Sequence, residues 1–308
     1  MALITNTTSG VYVIAVTPFT DTGAVDYDSL DRVVDFYFER GADGLTILGI
    51  MGEAPKLTQK ETLEITRRVL ARAGGKPIVV GASAPGLAAI GEVTAAVMDM
   101  GASGVMVAPP SSLTTNESIV TYYRNVCETV GDAVPVVLQD YPLITKINIS
   151  VDTLGTIFEA HPNIVMLKHE DWPGLAKIAA LRAAEAKGRR RTSILCGNGG
   201  LFLMEEVQRG ADGAMTGYAY PEMMRDVVRF VKSGDNDRAA DIFDAHLPLV
   251  RYEQQQGVGL AVRKYVLQKR GAIASAAQRK PGPGLDAASI AEVERLIARM
   301  ERRLADLG

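Results

Sequence analysis

Eight short apolar runs, spread from the start of the chain to about Gly217, constrain the fold more than any other feature. They read VYVIAVTPF, GLTILG, PIVVGAS, GVMVAPP, PVVLQDY, IVMLKHE, TSILCG and GAMTGYA. Continuous apolar runs of this length mark strands covered on both faces, the signature of a parallel sheet. Between them lie segments of helical periodicity. Asp28 to Gly41 spaces its apolar residues three and four apart and ends on glycine; Thr58 to Gly74 opens with a Thr-Gln-Lys-Glu capping pattern and also ends on glycine. Eight strand–helix units predict an α/β fold, a (β/α)8 barrel. A doubly wound open sheet would want a Gly-rich turn after its first strand, and Thr17-Pro18-Phe19 stands there instead. The barrel is expected over residues 1–221. Residues 222–308 carry no strand signal and read as two or three helices packed on it, broken by a loop at Lys280-Pro-Gly-Pro-Gly284.

In the sixth run, Ile164-Val-Met-Leu167 leads into Lys168 with no turn residue between. Lysine is among the residues least often buried, and an unpaired ammonium there costs on the order of several kcal/mol. Three readings follow. The strand has ended and the lysine reaches water, or it is a structural plug paired to a barrel carboxylate, or its desolvated amine attacks a carbonyl. Strand periodicity places Lys168 and Glu170 on one face and His169 on the other. Lys168 and Met166 then point into the barrel, near the C-terminal mouth where reactive groups gather. A neutral amine with Glu170 as proton shuttle meets the requirements of Schiff-base formation.

Other strand ends offer weaker signals. In Gly49-Ile-Met-Gly52-Glu53 the glycines either admit a ligand close to the backbone or make a tight turn. The amides of Gly197-Asn198-Gly-Gly200 are candidates for holding a carboxylate. No Ser-His-Asp order or HExxH motif is present, and Ser83 lacks a nucleophile elbow.

Composition excludes several partners. With a net charge of −3, neither nucleic acid nor an anionic membrane is expected, and Lys187-Gly-Arg-Arg-Arg191 reads as a solvated loop. No apolar stretch approaches the ~20 residues that span a bilayer. Cys127 and Cys196 stand far apart, so a reducing compartment is expected. The opening MALITNTTSGVYV lacks the regions of a signal peptide, which points to the cytoplasm. His161, His169 and His246 share no ligand spacing; neither a metal nor a cofactor is expected.

Thr17-Pro18-Phe19, Gly49-x-x-Gly52-Glu53 with Leu57-Thr58, Pro142, Lys168 after leucine, and Gly210-Ala-Asp-Gly213 occur in order across the whole chain. Together they resemble the dihydrodipicolinate synthase / N-acetylneuraminate lyase family of class I aldolases and lyases. The resemblance implies a TIM barrel, a homotetramer or homodimer, and an imine between Lys168 and the keto carbon of pyruvate or another 2-oxo acid. It also exposes departures. Two family threonines correspond to Ile50 and Met51, the proton-shuttling tyrosine to Gln139, and the arginine that recognises an acidic semialdehyde to Ile144. The tyrosine donated across the subunit interface aligns with Ser111. Tyr141, two residues beyond Gln139, compensates only if the strand end bulges.

The implied catalytic set is Lys168, Gln139 and Glu170, with Ile50, Met51, Gly52, Glu53, Tyr141, Gly197 and Asn198 lining the substrate. The Gln139-Asp-x-Pro142 strand end and Gly213-Ala-Met-Thr-Gly217 look like the 2-keto-3-deoxy-L-arabonate dehydratase branch, as do Leu247-Pro-Leu-Val250, Glu253-Gln-Gln-Gln-Gly257 and Gly271-Ala-Ile-Ala-Ser275. A dehydratase of a 2-keto-3-deoxy sugar acid is therefore expected. Retro-aldol cleavage and dihydrodipicolinate synthesis are the alternatives, and a barrel that binds a keto acid without turnover is the alternative of another class.

Overall fold

The computed structural model describes residues 2–172 and 174–307. Eight parallel strands close into a barrel in sequence order, β1 pairing with both β2 and β8. The strands are β1 (Gly10–Ile14), β2 (Gly44–Ile47), β3 (Ile78–Gly81), β4 (Gly104–Val107), β5 (Val136–Asp140), β6 (Ile164–His169), β7 (Ser193–Cys196) and β8 (Gly213–Ala214). The helices of the first half are α1 (Tyr27–Glu39), α2 (Gln59–Arg72), α3 (Leu87–Asp99) and α4 (Asn116–Val130). A single turn, α5 (Pro142–Thr145), and α6 (Val151–Ala160) follow β5; α7 (Leu175–Ala186) and α8 (Leu203–Gln208) follow β6 and β7. The expected (β/α)8 barrel is thus the observed one.

Local signals fix the helix ends. Asp26 caps α1 by accepting from the Ser29 amide, and Thr58 and Glu61 form the expected capping box of α2. Alternation along the strands divides the core in two. Val11, Val13, Leu138 and Leu167 face the helix ring, while Tyr12, Ile14, Val79, Met106, Val137, Met166, Leu195 and Met215 fill the barrel interior. Ile4 packs with this inner group, its amide bonded to the Ser103 carbonyl.

After β8 the chain forms α9 (Pro221–Ser233), which packs against β1 and β8. This helix completes the eighth strand–helix unit, so the division expected after residue 221 falls one helix too early. A helix without following strand looks the same in sequence whether it closes the barrel or extends it. The extension proper is α10 (Asn236–Glu253), α11 (Gly259–Lys269) and α12 (Ala287–Ala305). It is locked to the barrel by buried charge: Lys264 Nζ on α11 contacts Glu53 at 2.6 Å and donates to the Thr17 and Ala277 carbonyls. Among the described residues, no helix is long and apolar enough to cross a membrane.

Candidate active site

Lys168 is the last inward-facing residue of β6, one pleat above Met166. Only 5% of it is exposed, and its Nζ lies 2.9 Å from Glu170 Oε2. Gln139 sits beside Lys168 in register on β5, and its Nε2 donates to the same oxygen at 2.7 Å. Glu170 itself is fixed from behind, because its amide donates to the Asp140 carbonyl and extends the ladder one residue past β6. The three predicted catalytic residues are therefore one hydrogen-bonded cluster. Its geometry depends on Gly197, where a Cβ would come within 2.1 Å of Glu170 Cγ.

The intervening residues face the opposite way, as strand alternation requires. Asp140 pairs with Lys177 at 2.8 Å behind the sheet, and burial pushes its carboxyl up to about 6 against that cation. His169 contacts the Gly174 carbonyl, and burial lowers its imidazole to about 4. Neither reaches the cavity that Lys168 faces.

That cavity holds about 40 Å³. Ile14, Ile50, Met51, Gln139, Tyr141, Lys168, Glu170, Gly199, Thr216, Gly217, Gln254 and Arg263 line it. One water needs about 10–15 Å³ of such space, so the cavity has room for a few waters or the small reacting end of a substrate. The remainder has room in an outer cleft of about 480 Å³ that shares Ile50, Met51, Tyr141 and Gln254. Ile144 and Leu260 give this cleft an apolar side, Gln255, Gln256 and Gln278 a neutral polar one, and Glu53, Lys56 and Glu253 its charged lining.

Tyr141 reaches the cavity without a bulge at the strand end. The irregularity in the β5–β6 pairing lies between Val136 and Val137, and β5 simply stops at Asp140 before the Pro142 turn. Burial pushes the Tyr141 hydroxyl up to about 12, so it stays protonated as a donor at neutral pH.

Glu53, Gly52, Gly197 and Asn198 do not line the Lys168 cavity. Glu53 lines the outer cleft instead, with one oxygen taking Lys264, the other Lys56 at 2.8 Å and the Arg279 amide at 3.1 Å. Its role in the fold is to anchor α11 and the segment before α12. Gly52 is buried, its carbonyl accepting from Thr17 Oγ1 at 2.6 Å. In the loop after β7, the amides of Gly197, Gly199 and Gly200 are spent on the His169 carbonyl, Thr216 Oγ1 and the Gly197 carbonyl. They cannot also cradle a carboxylate, and Gly199 rather than Gly197 or Asn198 borders the cavity.

Six residues lining the cavity were not among the candidate site residues read from sequence: Ile14, Gly199, Thr216, Gly217, Gln254 and Arg263. Arg263 carried a readable signal. It stands with Lys264 inside Leu260-Ala-Val-Arg-Lys-Tyr-Val-Leu267, two cations flanked by apolar residues as Lys168 is.

The profile of the Dihydrodipicolinate synthetase family matches residues 7–300. L-2-keto-3-deoxyarabonate dehydratase of Azospirillum brasilense is 29% identical over 298 residues, 95% of this chain and 94% of that protein. A 4-hydroxy-tetrahydrodipicolinate synthase of Methanococcus maripaludis is 28% identical over 246 residues, 79% of this chain and 82% of that protein. The crystal structure of dihydrodipicolinate synthase from Rhodopseudomonas palustris superposes with a TM-score of 0.96 at 52% identity, covering 97% of this chain and all of that one (100%).

Proposed function

The chain belongs to the dihydrodipicolinate synthetase family of Schiff-base lyases, and from that premise we propose that it dehydrates a 2-keto-3-deoxy sugar acid through an imine on Lys168. The observation that carries the proposal is the 2.9 Å contact between Lys168 Nζ and Glu170, facing a cavity. Glu170 then carries two protons in turn, one from Lys168 and one from C3. Lys168 passes the first to Glu170, and the freed amine adds to the keto carbon C2. Proton transfer from nitrogen to oxygen gives the carbinolamine. Glu170 protonates its hydroxyl, which leaves as water, and the iminium forms.

Glu170, now a carboxylate, removes a proton from C3, and the enamine results. The enamine pair expels the C4 hydroxyl, to which Glu170 returns the proton, and a second water leaves. Hydrolysis of the remaining iminium releases the unsaturated 2-oxo acid and restores the Lys168–Glu170 pair. Gln139 positions the carboxylate throughout, and Ile50, Met51 and Tyr141 border the bound chain. This assigns to Glu170 the work that the resemblance gives to a threonine–tyrosine relay.

Ile144 favours dehydration over synthesis. An incoming acidic semialdehyde needs a free cation; the cation lining the outer cleft, Lys56, is held by Glu53 at 2.8 Å, and at the position where the resemblance implies arginine this chain has a half-exposed isoleucine. The dehydratase of A. brasilense is similar along nearly its whole length. The 52% identity to the R. palustris protein supports a second reading, synthase activity. Incubation with 2-keto-3-deoxy-L-arabonate, and separately with pyruvate and an acidic semialdehyde, separates the two by mass spectrometry. Loss of one water from the sugar acid supports the dehydratase; condensation without such loss overturns it in favour of the synthase. The assembly is proposed to be a homotetramer or homodimer of cytoplasmic chains, which light scattering on the purified protein tests.

A further inference from the structure

Arg263 is the largest of the fully buried side chains, 2% exposed, and it is only half partnered. Its Nε donates to Glu253 Oε1 at 2.6 Å, while Nη1 of the arginine and Oε2 of the glutamate are both buried without a partner. An arginine and a carboxylate kept together for packing close two-on-two, since each unmade bond in the interior costs the desolvation of its group. Here the fork is held by one tine and the other is left over.

Arg263 borders the Lys168 cavity, and its unpartnered tine lies against Gly217. Both residues line the cavity, and a Cβ on Gly217 would stand 2.2 Å from Nη1. The bare Cα at the end of the β8 run is what gives the guanidinium its place. Among the described side chains lining this cavity, Lys168 and Arg263 are the two cations, and Lys168 is already committed to Glu170. A carboxylate entering a desolvated site needs a charge or several donors to meet it. The two positions where the resemblance implies hydroxyls are Ile50 and Met51.

We propose that Arg263 Nη1 is the receptor for a carboxylate of the substrate, with Glu253 as the positioning residue that holds the guanidinium. The proposal rests on the reading that the cavity takes a 2-oxo acid. That carboxylate is either the one beside the keto group, present in every 2-oxo acid, or a second one at the far end of a dicarboxylic 2-oxo acid.

Calorimetric titration of the full-length protein with pyruvate, 2-oxoglutarate and the uncharged pyruvamide distinguishes these. In Arg263→Gln, a loss of roughly 10- to 100-fold in pyruvate affinity with pyruvamide unchanged supports the proposal and assigns the carboxylate beside the keto group. A similar loss for 2-oxoglutarate alone supports it and assigns the far carboxylate. Equal affinities in wild type and variant, equal losses for pyruvamide and pyruvate, or a wild type that binds neither acid, each overturn it. Equal affinities would instead leave the carboxylate to backbone groups of the Ile50–Met51 turn.

Because Arg263→Gln leaves Glu253 buried alone, the double variant Arg263→Gln/Glu253→Gln, which removes both charges, is titrated in parallel with circular dichroism as the check on folding. Borohydride trapping of the wild type on Lys168 is a separate readout: its failure would sink the imine reading whatever Arg263 does.

Discussion

Replacing Glu170 by glutamine separates holding Lys168 from moving its proton. The amide has the same shape, and its oxygen can take the place of Oε2, which accepts from Lys168 at 2.9 Å and Gln139 at 2.7 Å. Its nitrogen then occupies the Oε1 position, on the side where Gly197 leaves room for it. The cluster therefore keeps its geometry, and what disappears is a group able to take and return a proton. General acid–base catalysis by a positioned side chain contributes about 10²- to 10⁴-fold. At about 1.36 kcal/mol per tenfold, that is roughly 2.7 to 5.4 kcal/mol on the barrier. We expect kcat for the sugar acid to fall by about 10²- to 10⁴-fold, while borohydride still traps substrate on Lys168 after long incubation. Steady-state release of the dehydrated acid, followed beside intact-mass measurement of the trapped adduct, reads both quantities. A Glu170→Gln enzyme within about threefold of wild-type kcat would refute Glu170 as the shuttle, since a loss that small lies well below the range for acid–base catalysis.

Two further outcomes test the frame around the site. Lys264→Met removes a fully buried ammonium from Glu53, which keeps Lys56 and the Arg279 amide; we expect about 3 kcal/mol of destabilisation, a melting midpoint lowered by roughly 5 °C, and contradiction if calorimetry shows no shift. Glu206, behind β7 with Cys196, has its carboxyl pushed up to about 8 by burial, the Cys196 hydrogen bond opposing this. The folded chain thus keeps a proton that the unfolded chain loses, so this group costs stability progressively as pH rises from its ordinary value of 4.5 to about 8. Glu206→Gln should therefore flatten the fall of the melting midpoint across that window and gain most at its alkaline end; an unchanged pH profile would contradict the assignment.

The barrel was legible because its information is local. Eight apolar runs and the glycines and caps between them state the strand–helix repeat without reference to any distant residue. Lys168 was legible for the same reason, as a charge where the run has no business carrying one, and strand alternation then brought Glu170 in and sent His169 out. What failed was tertiary. Glu53 looks like a site residue because it ends a strand beside two glycines, yet its carboxylate is claimed by Lys264, more than two hundred positions later. The amides after β7 looked available because nothing in Gly197-Asn-Gly-Gly200 reveals that Thr216 takes one of them. Arg263 and Gln254 come to the cavity from the helical extension, whose placement no periodicity states. The boundary at residue 221 erred because α9 carries no mark of which neighbours it covers.

Whether Lys168 is the nucleophile of an imine-forming lyase is decided by borohydride trapping. The protein is incubated with pyruvate or with a 2-keto-3-deoxy pentonate, reduced, digested and mapped by mass. We expect one reduced adduct, on the peptide carrying Lys168, absent from Lys168→Ala. A wild-type protein that yields no adduct with either acid, or an adduct on another lysine, would make Lys168 a structural plug paired to Glu170 and leave the chemistry without its nucleophile.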